Sequence, residues 1–177
     1  MVSFIDDFSR FSVLYFIKHK SEVLECFKKF KAEYGTAGTL SILRSDNGGE
    51  YTSKAFARYC TDNCIKQEFT VPETPQQNGV AERFFRTVVE MTRSLLLDSG
   101  LPKLLWVRAM DTACYIRNRC RNSSLVGDKT PLEVFYKRPA DLTKLRVFGC
   151  TAFSLSRDRS RGKLDPKADK GVFVGYD

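Results

Sequence analysis

Leu40-Ser41-Ile42-Leu43-Arg44-Ser45-Asp46-Asn47-Gly48-Gly49 is the stretch on which the fold turns. Leu40–Leu43 is a short apolar run of strand character, and it stops abruptly in Arg-Ser-Asp-Asn-Gly-Gly. Asp46 therefore follows a strand directly, at the rim of a sheet, where α/β domains commonly build their sites. Asp-Asn-Gly-Gly is also ordinary turn chemistry, so Asp46 alone does not define a site.

Outward from that strand, elements alternate. Val2–Asp7 and Ser12–Ile17 are rich in β-branched and aromatic residues, with Phe8-Ser9-Arg10 between them, and predict an antiparallel pair. Ser21 is a candidate N-cap for a helix on which Val23, Leu24, Phe27, Phe30 and Tyr34 recur at helical spacing, and Gly35 ends it. After Asp46 come a helix from about Ser53 to Thr61 and a strand at Ile65–Phe69. Val71 to Gly79, with two prolines, two glutamines, an Asn and a Gly, is a loop. Val80 to about Asp98 is a long helix, Ser99-Gly100-Leu101-Pro102 a break, and Lys103 to about Arg121 a second helix. The pattern is that of a layered α/β domain. Beyond Pro139 the character changes: Arg146–Ser154 and Gly171–Gly175 read as strands around a basic loop, Arg157 to Lys170. Residues 1–138 are thus expected to form one domain and residues 139–177 the start of a small β module.

The 177 residues carry 29 Lys+Arg against 21 Asp+Glu, a formal charge of +8. Residues 1–81 hold ten basic and ten acidic side chains, so the whole excess lies from Glu82 onward. Clustered cations of this kind suggest a phosphate-contacting surface. With 12% aromatic residues the chain can bury a core, which excludes wholesale disorder. The opening Met-Val-Ser-Phe-Ile-Asp-Asp lacks the basic and apolar regions of a signal peptide, and no apolar run approaches the roughly 18 residues of a membrane helix. The six cysteines are accordingly expected to be buried thiols in a reducing compartment. Cys60 and Cys64 have only His19 to complete a zinc site.

Glu82 opens the long helix. On a helical wheel Phe84, Val88, Met91 and Leu95 fall within about 60° of one another, while Glu82, Arg86 and Arg93 fall within about 40° on the opposite side. A Glu–Arg pair four residues apart is also what a wet surface carries, worth only about 0.2–0.5 kcal/mol. Together, however, a carboxylate at a strand end and one on a neighbouring helix can hold Mg²⁺, a hard cation that prefers oxygen ligands. Two such ions about 4 Å apart clamp both oxygens of an in-line phosphoryl displacement.

Thirty-five residues lie between Asp46 and Glu82, and their contexts are distinctive. Leu43-Arg44-Ser45-Asp46-Asn47-Gly48-Gly49-Glu50-Tyr51 resembles the second catalytic segment of copia-type retrotransposon integrases. Thr74-Pro75-Gln76-Gln77-Asn78-Gly79-Val80-Ala81-Glu82-Arg83 resembles the third. Phe4-Ile5-Asp6-Asp7-Phe8-Ser9-Arg10 is similar to the family's second strand, and Leu145-Arg146-Val147-Phe148-Gly149-Cys150 to the entry into its SH3-like module.

The resemblance implies an RNase H-like α/β core with a D,D-35-E site, in which Asp46 and Glu82 are catalytic and bind Mg²⁺ or Mn²⁺. It implies 3′-end processing and strand transfer into target DNA, contacts to DNA by Gln77, Asn78, Arg83, Arg86 and Arg93, assembly with other integrase chains, no membrane, and work in the nucleus or cytoplasm. It also sets an expectation of incompleteness. The family's first catalytic Asp precedes the Ile-Asp-Asp-Phe-Ser-Arg segment, on a central strand, and this sequence begins at Met1. The core is expected to lack that first strand, which would leave the Val2–Asp7 and Leu40–Leu43 strands with open edges between them. Two carboxylates in place of three would hold metal weakly. Asp6 or Asp7 as substitutes, and a non-catalytic nucleic-acid-binding protein, are the alternatives. The SH3-like module is expected to be partial.

Overall fold

The structure, a computed structural model, describes residues 1–35, 40–70, 79–155 and 167–176. β1 (Val2–Ile5) and β2 (Ser12–Tyr15) form an antiparallel pair with Phe4 opposite Val13. α1 (Val23–Tyr34) follows, then β3 (Ile42–Ser45), α2 (Lys54–Asp62) and β4 (Lys66–Phe69), with β3 and β4 parallel. α3 (Gly79–Ser99) and α4 (Trp106–Arg117) are joined through one 3₁₀ turn at Lys103–Leu105. α5 (Pro131–Tyr136) leads to an antiparallel pair, β5 (Thr151–Leu155) and β6 (Ala168–Val172).

The period of two along β1 and β2 sorts their side chains into two layers. Val2 and Phe4, with Val13 and Tyr15 opposite, face a cluster built from Val23, Phe27 and Phe30 of α1 and Phe56 and Cys60 of α2. Ile5, Leu14 and Phe16 face the other way, onto Phe84 and Val88 of α3 and Met110, Ala113 and Cys114 of α4. Helices thus cover both faces, as the α/β reading requires. The β1–β2 and β3–β4 pairs remain separate two-stranded sheets among the described residues, so β1 and β3 each have a ladder on one side only. The expected open edges are there.

Several expectations are corrected. Asp6 and Asp7 lie outside β1, in the turn, because Asp6 Oδ2 accepts from Ser9 N at 2.8 Å and Ser9 Oγ at 2.5 Å, which closes the hairpin. The third strand is Ile42–Ser45 and not Leu40–Leu43; its register against Lys66–Phe69 is what sets it. α4 stops at Arg117, since Asn118 turns its side chain to β2. α5 was not foreseen, though Thr130-Pro131-Leu132-Glu133 spells a capping box: Glu133 N donates to Thr130 Oγ1 at 3.2 Å and Thr130 N to Glu133 Oε2 at 2.9 Å. All six cysteines are free thiols, but only Cys26, Cys60 and Cys114 are buried, while Cys64 and Cys120 are exposed.

Candidate active site and nucleic-acid interface

β3 delivers Asp46 to the sheet rim, and the turn behind it is tightly tied. Gly48 N donates to Asp46 Oδ1 at 3.2 Å, Tyr51 N donates to Gly48 O at 2.9 Å, and Gln67 Nε2 of β4 donates to Tyr51 O at 3.0 Å. Ser53 then caps α2, accepting from Phe56 N at 3.3 Å. Gly48 is where side chains crowd: a Cβ there would stand 3.0 Å from Asp46 Oδ1 and 2.9 Å from Glu50 Oε2. The Asp46 and Glu50 carboxylates therefore converge over one glycine.

Glu50 is the site neighbour that the sequence reading missed. Its signal was an acid four residues after Asp46 within one Gly-rich turn. Its Oε1 faces Lys20 Nζ at 3.7 Å. The surroundings register this negative charge: burial pushes the Tyr51 hydroxyl up to about 12, and the charges of Asp46 and then Glu50 add to the shift.

Glu82 sits in the first turn of α3, where the helix dipole favours an anion. Phe84 and Val88 are buried and Met91 and Leu95 half-buried, while Glu82, Arg83, Arg86 and Arg93 are exposed. Arg83 folds back toward the helix start, its Nη1 3.2 Å from where a Gly79 Cβ would stand. Among the described residues Arg86 and Arg93 have no ion-pair partner. Gln77 and Asn78 lie outside the described residues, as does most of the basic Arg157–Lys170 loop.

Not every cation after Glu82 is available to a ligand. The Arg117 guanidinium lies 4.9 Å over the Phe84 ring and donates to Ser12 Oγ at 3.4 Å; burial lowers its pKa from the usual arginine value. Arg121 pairs with Asp128 at 3.7 Å. Asp6 and Asp7 are likewise committed, the first to Ser9 and the second to an ion pair with Arg10. Among the described residues no three His, Cys, Asp or Glu side chains converge as a metal site. Nor is any described helix long and apolar enough to cross a membrane.

Residues 1–75 match the model of the integrase core domain, and residues 150–177 that of the retroviral polymerase SH3-like domain. The chain is 46% identical over 177 residues to the retrovirus-related Pol polyprotein from transposon TNT 1-94 of Nicotiana tabacum. It is 35% identical to the corresponding polyprotein from transposon RE2 of Arabidopsis thaliana. The chain's first 75 residues are thus similar to integrase cores, and the whole chain aligns with a stretch of retrotransposon Pol polyproteins. These alignments take in 99% of the chain but only 13% and 12% of the polyproteins' length, so the chain corresponds to one segment of its relatives.

Solved integrases share its fold at low identity. The HTLV-2 integrase catalytic core domain in complex with magnesium, in its trimeric form, is 22% identical with a TM-score of 0.58, covering 75% of this chain and 82% of that one. A chain of the simian T-cell lymphotropic virus intasome in complex with PP2A regulatory subunit B56 gamma is 22% identical with a TM-score of 0.63, covering 95% of this chain and 59% of that one. The RNase H-like α/β reading of the sequence holds.

Proposed function

We propose that this chain is a DNA-binding part of an integrase core that contributes two carboxylates, Asp46 and Glu82, to metal-dependent 3′-end processing and strand transfer. The observation that carries the reading is one face of α3, on which Glu82, Arg86 and Arg93 are exposed while Phe84 and Val88 are buried behind them. A carboxylate flanked by guanidinium groups along a single helix suits a reaction on a phosphodiester.

The donor chemistry fits a divalent cation. Asp46 and Glu82 are exposed and offer carboxylate oxygens, and among the described residues Asp46 Oδ1 accepts from the Gly48 N–H at 3.2 Å. When bound there, Mg²⁺ or Mn²⁺ would neutralise charge developing on phosphoryl oxygens and lower the pKa of a bound water or hydroxyl. The residues of the chain do the remaining work. The Gly48 turn fixes the Asp46 carboxylate at the rim, the first turn of α3 fixes Glu82, and Arg83, Arg86 and Arg93 neutralise backbone phosphates. Gln77 and Asn78, which precede that turn in sequence and lie outside the described residues, are proposed as further DNA contacts.

As a 177-residue unit the chain is proposed to bind DNA without joining ends. Asp6 and Asp7 are tied into the β1–β2 turn and do not make up a third carboxylate. Its partners are element ends, target DNA and other integrase chains, an assembly that the dimeric, trimeric and intasome forms of its structural neighbours support, and its work is with host DNA in the nucleus.

The test is a strand-transfer assay with labelled duplex ends, Mg²⁺ or Mn²⁺ and the purified chain, run beside a salt titration of DNA binding. Binding that weakens steeply with salt, without joined product, is the expected result. Joined product that disappears with Glu82→Gln would overturn the two-carboxylate reading, and affinity indifferent to salt would overturn the phosphate contacts.

A further inference from the structure

The β5–β6 pair has little core of its own. Phe153, Leu155 and Val172 are all exposed, and an isolated two-stranded hairpin is marginally stable at best. What holds it lies at its ends, where residues 146–149 and 173–176 meet α3 and α4. Gly149 N donates to Phe173 O at 2.8 Å and Phe173 N to Cys150 O at 2.9 Å, so the two ends are braced to each other.

Both ends approach the helices closely. A Cβ on Gly149 would stand 2.4 Å from Ser99 Cβ, at the end of α3, and one on Gly175 would stand 2.8 Å from Thr112 Oγ1 of α4. Each glycine also has a positive φ, +85° and +136°. Between them the Tyr176 ring lies flat on Tyr115 of α4, with centroids 3.9 Å apart and planes 9° apart. The Arg119 guanidinium carbon lies 3.3 Å from the same Tyr115 centroid, so it must occupy the opposite face. Its Nη1 donates to Tyr115 O at 3.1 Å. The Tyr176 hydroxyl accepts from Arg146 N at 2.8 Å, which returns the stack to the start of the module.

We propose that the Arg119–Tyr115–Tyr176 stack is a latch that fixes the C-terminal β module to α4, and that Tyr115 and Tyr176 are positioning residues for DNA binding. The DNA-binding part of this inference rests on the proposed function. A latched module presents Lys144, Arg146, Lys167 and Lys170 at fixed distances from Arg86 and Arg93, so that one duplex meets both sets at once. An unlatched module presents the same cations on a tether, at an effective concentration set by linker geometry.

The experiment uses the full 177-residue chain and two readouts. Amide hydrogen exchange without DNA reports the latch, and duplex-DNA anisotropy across a NaCl series reports the positioning. Tyr176→Ala and Tyr115→Ala are expected to speed exchange in residues 149–155 and 167–175 at least about tenfold while α1 stays protected. Tyr176→Phe, which keeps the stacked ring, is expected to stay within about twofold of wild type. The alanine variants are also expected to show a shallower dependence of log affinity on log salt, by about two phosphate contacts. Gly149→Val, which puts a side chain against Ser99, should reproduce both effects. Unchanged exchange in all three disruptive variants, with α1 protected, overturns the latch. Faster exchange with an unchanged salt slope overturns the positioning role. A wild-type chain without salt-dependent binding removes the DNA reading itself and leaves the latch to be decided by exchange alone.

Discussion

The Asn118 side chain meets the backbone of Ser12 as a neighbouring strand would: its Oδ1 accepts from Ser12 N at 3.0 Å and its Nδ2 donates to Ser12 O at 2.7 Å. One carboxamide thereby satisfies both backbone polar groups of Ser12 and joins the end of α4 to the hairpin. Cys114 adds a contact one turn earlier, its thiol donating to Ser12 O at 3.3 Å. The start of that edge is thus capped by a helix, which opposes pairing with another strand there.

Asn118→Ala is expected to destabilise the chain by about 1–3 kcal/mol, the cost of one orphaned buried donor, because Ser12 N loses its acceptor while Ser12 O keeps the Cys114 thiol. Urea unfolding followed by circular dichroism measures it. A loss below about 0.5 kcal/mol would mean that water replaces the carboxamide.

Phe27 is fully buried and packs on Phe4 at 5.5 Å and on Phe56 at 5.3 Å between centroids. It joins β1 to α1 and α2, so Phe27→Ala is expected to cost about 3–5 kcal/mol. Phe8 is 82% exposed at the hairpin tip, and Phe8→Ala provides the surface control, with a change within about 0.5 kcal/mol.

Burial pushes the Cys114 thiol from its usual 9.0 up to about 12, and the Asp111 charge adds to the shift. The folded protein holds this proton more tightly than the unfolded chain. The stabilisation is therefore complete below pH 9 and is lost as pH rises from about 9 toward 12. Chemical denaturation across that range should show stability falling, and Cys114→Ala should flatten the fall. At neutral pH the native thiol is expected to resist alkylation, while the exposed Cys64 and Cys120 react.

Arg86 and Arg93 are exposed on the outer face of α3. Substituting either with Gln is expected to weaken DNA binding about equally across sequences and to reduce the salt slope by about one phosphate contact. Arg117→Gln differs, because that guanidinium is spent on Phe84 and Ser12: it should lower thermal stability and leave the salt slope unchanged. A reversed ranking of the two phenotypes in anisotropy and thermal melts would contradict the assignment.

Much of the fold was legible because local patterns carried it. The alternation of β1 and β2 and the apolar stripe of Phe84, Val88, Met91 and Leu95 depend on residues two, three or four apart. The bounds of β3 were not, since its register is set by β4, more than twenty residues away. Of the candidate site, Asp46 and Glu82 were visible from their contexts. Glu50 escaped because nothing in a Gly-Gly-Glu turn says that the chain folds back to set that carboxylate beside Asp46.

The sequence by itself determined the class of core, the exposed basic face of α3 and the resemblance to integrases, and it nominated Asp46 and Glu82, since each rests on short-range order or on motifs read residue by residue. Tertiary structure alone decided which of the described cations are exposed, as Arg86 and Arg93 are, and which are spent on packing, as Arg117 is. It also decided that Asp6 and Asp7 serve the turn, and that Tyr176 closes on Tyr115. The Asp6 and Asp7 contacts are local, three residues along the chain, but the Tyr115–Tyr176 stack and the Asn118–Ser12 pair join groups some sixty to more than a hundred residues apart. A charge or a ring takes its role from what folding places against it.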